Sequence, residues 1–363
     1  MIYFSLFLIM SYIFSYLAQK SESTSIIISL YFTSIVVLIL SLLSGFRTEY
    51  NDTKRYIYNF IHYVPEHIID FFNNYSMALG DYPGFFFFQS LLKDFVSDNP
   101  YVFIFTSSVF INILIISFYK KYSTAFSLSV FLYITSGLFM LGMGAMKQML
   151  AVSIGIWSIH FFIKNNQKIF LFLLFLASTF HPFILLYLAV YFFNTQVWTK
   201  KILSMILATL LVGLFFTQFV ETILGAAGAI GVNYDPSFIL NKAGVNPLRI
   251  AIFSVAPILS YIYREEINNS EDKMIIIAVN FSIISFLFML VASYGGANMF
   301  GRLASYFEPF TYLVIPWILY KFIPKNYNWI FIGSFIFAYS FFFYYQFVIV
   351  KNFHYKHILT NII

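Results

Sequence analysis

The sequence predicts an all-α, polytopic membrane protein, and three observations carry that prediction. Hydrophobic residues make up 60% of the 363 positions and charged residues 10%, with a mean hydropathy of +0.81. That is more apolar surface than one soluble core hides, so the bilayer must act as solvent. Apolar runs of about 20 residues, the length that crosses hydrocarbon, recur from end to end. No strand alternation, internal repeat or low-complexity linker interrupts them, and backbone polar groups in lipid are satisfied only inside helices or closed barrels.

About eleven apolar segments are expected, near 1–18, 26–45, 100–118, 124–142, 148–163, 169–193, 202–220, 247–263, 273–292, 303–320 and 329–350. They read as one transmembrane domain over 1–363. The first lacks a basic n-region and a small-residue cleavage site, so it reads as a retained helix and not a signal peptide. Two connections are long. Residues 46–99 mix charged and aromatic side chains around an apolar stretch, 84–95, that is too short to span and reads as re-entrant or interfacial. Residues 221–246 are Gly-rich and weakly polar.

Short basic loops stay in the cytoplasm, whereas long loops are translocated with little regard to charge. Lys20, Lys120, Lys121, Lys164 and Lys168 therefore mark the inner side, and 46–99 and 221–246 are expected outside. The window 169–193 carries His181 and Pro182 at its middle, where proline breaks a helix. A single crossing leaves Lys200 and Lys201 outside and suits Lys351 and Lys356. Two half-helices meeting at His181 put Lys200, Lys201, Arg264, Lys273, Lys321 and Lys325 inside, and turn Arg47, Asp52, Asp81, Lys147, His181 and Arg302 toward the outer face. The broken form is preferred, because ionisable residues within a membrane are costly and gather at functional cavities.

Several function classes drop out. The net charge of +6 comes from residues scattered through short loops, which indicates topology and not nucleic acid. Cysteine is absent, so disulfides and thiolate-held metals are excluded. No Walker loop, His-Glu-x-x-His, Asp-x-Asp or Gly-x-Ser-x-Gly occurs, so nucleotide hydrolysis, zinc chemistry and an elbow serine have no support. No cofactor or metal is expected.

Four places carry chemistry-bearing residues. After the second apolar segment, the run from Gly45 to Tyr56 holds Arg47, Asp52 and further charges; arginine forks onto phosphate oxygens, and a carboxylate takes a proton from a hydroxyl. A solvated loop of mutually paired charges explains it equally well. Gly142 to Gln148 is a glycine-softened entry into a helix, where N–H groups and Lys147 can hold an anion; a snorkelling lysine is the plainer account. His181 lies inside an apolar window and needs a partner, in a functional cavity or at a carbonyl freed by Pro182. Finally Gly295, Gly296 and Gly301 precede or flank Arg302, offering a permanent charge and close backbone approach.

At these same places the chain resembles the EpsG family of bacterial exopolysaccharide proteins, which is similar to Wzy-type O-antigen and capsule polymerases. The matching positions are Arg47, Asp52 and Tyr56; Asp81-Tyr82-Pro83-Gly84-Phe85; Lys147-Gln148; Phe180-His181; and Arg302 with Tyr306-Phe307. The order and spacing hold over nearly the whole chain. Tyr82 stands between Asp81 and Pro83 where the family more often joins an acidic residue directly to proline, Asn51 stands where glycine is common, and Lys147 replaces the usual arginine, which removes the forked phosphate contact.

The resemblance implies a glycosyltransferase of GT-C-like architecture in the bacterial cytoplasmic membrane. It would transfer a growing glycan from undecaprenyl diphosphate to another lipid-linked repeat unit on the extracytoplasmic side. Asp52, His181 and Arg302 are then the expected catalytic residues, with Asp52 or His181 as base, while Arg47, Tyr56, Asp81, Lys147, Gln148 and Tyr306 are expected to bind diphosphate or glycan. The expected partners are the undecaprenyl-diphosphate-linked oligosaccharide, the bilayer and a chain-length regulator; the product is O-antigen lipopolysaccharide, capsule or another exopolysaccharide. Two alternatives stand beside it. An O-antigen ligase needs the same donor site and a different acceptor, and a lipid-linked oligosaccharide flippase needs the charges without bond breakage. Inverted repeats would favour transport, and none is found.

Overall fold

The computed structural model describes residues 2–74, 82–229, 244–351 and 355–357. In chain order the elements begin with α1 (Ile2–Ser21), α2 (Ile26–Gly45), β1 (Arg47–Glu49), α3 (Thr53–His62), α4 (Ile68–Asn74) and α5 (Pro83–Phe95). They continue as α6 (Pro100–Tyr122), α7 (Phe126–Thr135), α8 (Leu138–Gly144), α9 (Met146–Ile163), α10 (Gln167–Phe180) and a 3-10 helix, Pro182–Tyr191. Then follow α11 (Lys200–Leu214), α12 (Phe216–Ala229), α13 (Pro247–Ile262), α14 (Arg264–Asn268), α15 (Lys273–Tyr294), α16 (Ala297–Phe322), α17 (Lys325–Phe343), a π-helical segment Tyr344–Val350 and β2 (Lys356–His357).

The chain is a multi-pass, all-α membrane protein. Among the described residues, five helices are long and apolar enough to cross a membrane, and up to seven if each of two bent pairs is one span. Those pairs are α7 with α8, bent by 53°, and α11 with the first part of α12, bent by 95°. The helix starts obey simple chemistry: Asn99 accepts from the N–H of Tyr101 ahead of Pro100, and Asp272 accepts from those of Met274 and Ile275, satisfying donors that a helix leaves open. Residues 221–229, expected from sequence to open a loop, continue α12.

Two compact units emerge, Met1–Leu188 with Ser334–Ile363, and Ala189–Gly333. In the first, α1 packs on α2 and α7, α2 on α6, and α9 on both α6 and α10, while α5 leans on α10. Every residue of α7 is buried. In the second, α15 packs along α16, with α13 against both. In the central window of α15 83% of residues are buried, against 28% for Lys325–Val350. A helix that is apolar all round and enclosed by protein is a core element; one that is apolar and uncovered presents its face to lipid.

The only strands among the described residues, β1 and β2, form an antiparallel pair in which Arg47 faces His357 and Glu49 faces Lys356. This pairing brings the C-terminal end of the chain onto the segment that leaves α2.

Candidate functional site

The segment after α2 is organised around Arg47, whose side chain is fully buried. Its Nε donates to Thr53 Oγ1 at 3.1 Å, one terminal nitrogen to the Ser44 carbonyl and to Ser108 Oγ at 3.3 Å, and the other to Met146 Sδ at 3.7 Å. One guanidinium thus ties the end of α2, the start of α3, α6 and the first residue of α9. Burial pushes its pKa down to about 10 against the opposing pull of Tyr56, Tyr355 and Tyr50, so it remains a cation at neutral pH. With four hydrogen-bonded partners inside the protein, it acts as a strut and a buried source of positive field.

Asn51 takes the left-handed backbone conformation, φ 45°, that asparagine tolerates, and its side chain lies against Gly144. Asp52 follows at the N-cap position of α3, half-buried, its carbonyl accepting from the N–H of Tyr56 at 3.0 Å while its carboxylate makes no cap bond. One turn on, the buried Tyr56 lies beside the start of α9, where the backbone N–H groups of Met146 and Lys147 pull its pKa down. Burial, helped by Asp52, raises the Tyr56 pKa to about 12 against these N–H groups and Arg47, so the hydroxyl keeps its proton.

Lys147 stands beside it. Its ammonium sits 4.3 Å from the ring centre of Tyr82, 5.2 Å from Phe85 and 5.5 Å from Phe86, an aromatic cradle that holds a cation by its attraction to ring faces. Phe85 also meets Tyr56 edge-on at 6.0 Å. Tyr82 also neighbours His181, with ring centres 5.2 Å apart. His181 is extended, φ −158° and ψ 117°, because a residue before proline is driven out of the helical region; α10 ends at Phe180 and the 3-10 helix starts at Pro182. Gly84 lets these pieces meet. A Cβ there would lie 2.0 Å from Thr179 Oγ1 and 3.1 Å from the Thr179 backbone carbon, so only glycine allows α5 to begin against the end of α10.

The first unit thus brings together Arg47, Asp52, Tyr56, Lys147 and His181 from three separate parts of the sequence. Gln148 is buried behind Lys147. Asp81 lies outside the described residues. Arg302 and Tyr306 belong to the second unit, on α16, where Arg302 is exposed and Tyr306 buried. The close approach at Gly295 is to the ring of Phe216, which a Cβ would meet at 2.4 Å, so that glycine serves packing of the second unit.

Sequence reasoning passed over two groups. In the second unit Glu308, on α16, is buried and accepts from the Tyr312 hydroxyl, within the electrostatic reach of Arg249; a carboxylate inside an apolar window was the available signal. In the first, Tyr355, Lys356 and His357 return to β1. Tyr355 donates to the Leu43 carbonyl, His357 Nε2 bonds the Leu42 carbonyl at 3.1 Å, and Lys356 meets Glu49 at 2.8 Å. No local pattern in two strand residues signals that pairing.

The family model described as the EpsG family matches residues 30–358, nearly the whole chain. No curated protein and no solved structure matches.

Proposed function

Since this chain belongs to the EpsG family, we propose that it is a polysaccharide polymerase acting on lipid-linked repeat units at the extracytoplasmic face of a bacterial cytoplasmic membrane. The observation that carries this reading is the gathering of a carboxylate, a phenol, an aromatic-cradled lysine and a histidine at a helix break, in a protein whose other ionisable groups sit mostly at helix ends. Such groups are costly near a membrane and are kept where chemistry needs them.

In the proposed reaction a hydroxyl of the acceptor repeat attacks the anomeric carbon of the donor glycan. The new glycosidic C–O bond forms, the bond to the polyprenyl diphosphate breaks, and the diphosphate leaves with the electron pair. The acceptor proton passes to Asp52 or His181, the two groups of the cluster able to take it. Negative charge grows on the leaving diphosphate, so fixed cations stabilise the transition state more than the ground state. Lys147 supplies one such charge to the cluster, while Arg47, spent on internal hydrogen bonds, contributes field and rigidity; Arg302, in the second unit, keeps the catalytic role that the family resemblance implies, which substitution tests.

The test is elongation of a purified lipid-linked repeat unit by the protein in nanodiscs. Polymer with release of polyprenyl diphosphate is expected. Asp52→Asn and His181→Ala should each leave protein abundance unchanged, and the one that removes the base should abolish elongation. Attachment of a single glycan to lipid A core alone would indicate a ligase, and movement of the intact lipid without release would indicate transport; either result overturns the reading.

A further inference from the structure

Outside the cluster, on the opposite face of α3, the first unit holds a cavity of about 470 Å³ walled by β1, α3, α6 and the C-terminal strand. Building on the polymerase reading, we propose that this cavity is a glycan subsite that seats the acceptor saccharide. Its volume falls in the range of about 300–1,000 Å³ typical of small-molecule sites.

The lining has the chemistry a sugar needs. Tyr58 and Tyr101 enter the cavity with 53% and 36% of their surface exposed. On α3 Tyr58 contrasts with Tyr56 and Phe60, which are buried on the other side of the same helix. An exposed ring is costly in water, and the C–H faces of a pyranose cover it while leaving the hydroxyls at the rim. At that rim Glu49 is bridged by Lys54 and by Lys356 at 2.8 Å, with 31% of its side chain still accessible. The two lysines hold its pKa down near 2, so it accepts hydrogen bonds at any physiological pH. Lys54 and Lys356 remain largely exposed and retain N–H groups to donate. Mixed donors and acceptors beside rings fit a polyhydroxylated ligand. A diphosphate would meet the Glu49 carboxylate and gain only what the lysines do not already spend on it.

Placement agrees with an acceptor role. Glu49 and Lys54 bracket Asp52 in the sequence, so a saccharide held on the outer face of α3 lies beside the segment that carries the candidate base. The C-terminal strand supplies one wall and is fixed by its pairing with β1 and by the bonds of Tyr355 and His357 to α2.

The experiment uses the full chain in nanodiscs and, as probe, the oligosaccharide repeat released by mild acid from the producing strain's own surface polysaccharide, with inorganic diphosphate as competitor. Binding is read by calorimetry, and acceptor KM and kcat by elongation. The Tyr58→Ala/Tyr101→Ala double variant should bind the probe about tenfold more weakly or worse and raise acceptor KM with kcat held. The Tyr58→Phe/Tyr101→Phe variant keeps the rings and should stay within about twofold of wild type. Lys356→Ala should weaken binding and Lys356→Arg restore it. Unchanged probe binding by the Ala pair, equal loss in the Phe pair, or displacement of the probe by diphosphate would each overturn the subsite. If wild-type protein binds the probe in a ring-dependent way but never elongates a lipid-linked repeat, the subsite stands and the polymerase reading falls. If it elongates and the rings are irrelevant, the reverse holds.

Discussion

Gly84→Ala tests whether the start of α5 must press on the end of α10 for the cluster to exist. The added Cβ would lie 2.0 Å from Thr179 Oγ1, 2.8 Å from its Cβ and 3.1 Å from its backbone carbon. Rotating Thr179 relieves the first contact at the expense of its 2.7 Å bond to the Leu176 carbonyl, worth about 1 kcal/mol. The other two contacts remain, so the helices must separate, and overpacking of this kind costs about 1–3 kcal/mol. The sum is about 2–4 kcal/mol, concentrated between Tyr82 and His181, whose rings are 5.2 Å apart. A lowered thermal midpoint by fluorescence-detected size exclusion is expected, with elongation reduced about tenfold or more, since 1.4 kcal/mol of lost transition-state stabilisation is a factor of ten. Adding Thr179→Gly removes the two closest contacts for a helix penalty of about 1 kcal/mol and should restore most of both. Wild-type midpoint and turnover in Gly84→Ala, or a double variant no better than the single one, would refute the close-approach argument.

Arg302→Lys keeps the charge and removes the fork, and is expected to slow saturated turnover by about 1–3 kcal/mol, ten- to a hundredfold, with Arg302→Ala worse; near-normal rates in both would remove Arg302 from the leaving-group site. The Glu49 carboxyl is pulled from its ordinary 4.5 to about 2, first by Lys356 and then by Lys54. Its folded-state pKa is the lower one, so its contribution is present above about 4.5 and lost as pH falls toward 2. Protection of the β1–β2 amides, taken relative to the intrinsic exchange rate at each pH, should therefore fall over that window, and unchanged protection there would separate the strand pairing from the ion pair. The chain has no cysteine, so a single one introduced at the exposed Asp98 reports sidedness; labelling by an impermeant thiol reagent in intact spheroplasts is expected, and labelling only after lysis would invert the topology.

How far sequence reasoning reached is best seen at His181. Proline after histidine, inside an apolar window, pointed to a break by local sterics alone, and α10 does end at Phe180 with His181 extended. The long helices were visible for the same reason: Ile26–Gly45, Pro100–Tyr122 and Lys273–Tyr294 are runs whose length and composition admit little else. The bends within 124–142 and 202–220 were not visible, since the breaks at Ser136 and Gly137 and at Phe215 carry no proline.

The amino-acid sequence by itself determined the solvent, the helical class and the short set of residues worth watching, because hydropathy, proline sterics and the cost of charge in lipid act locally. Tertiary structure alone decided what each residue faces. Arg47 became a buried strut through bonds to Ser44, Thr53, Ser108 and Met146, Lys147 came to rest on Tyr82, Phe85 and Phe86, and Lys356 reached Glu49 across the length of the chain. Such partners are set by which helices approach closely enough to exclude water, a property of the packed whole that no window of neighbouring residues encodes.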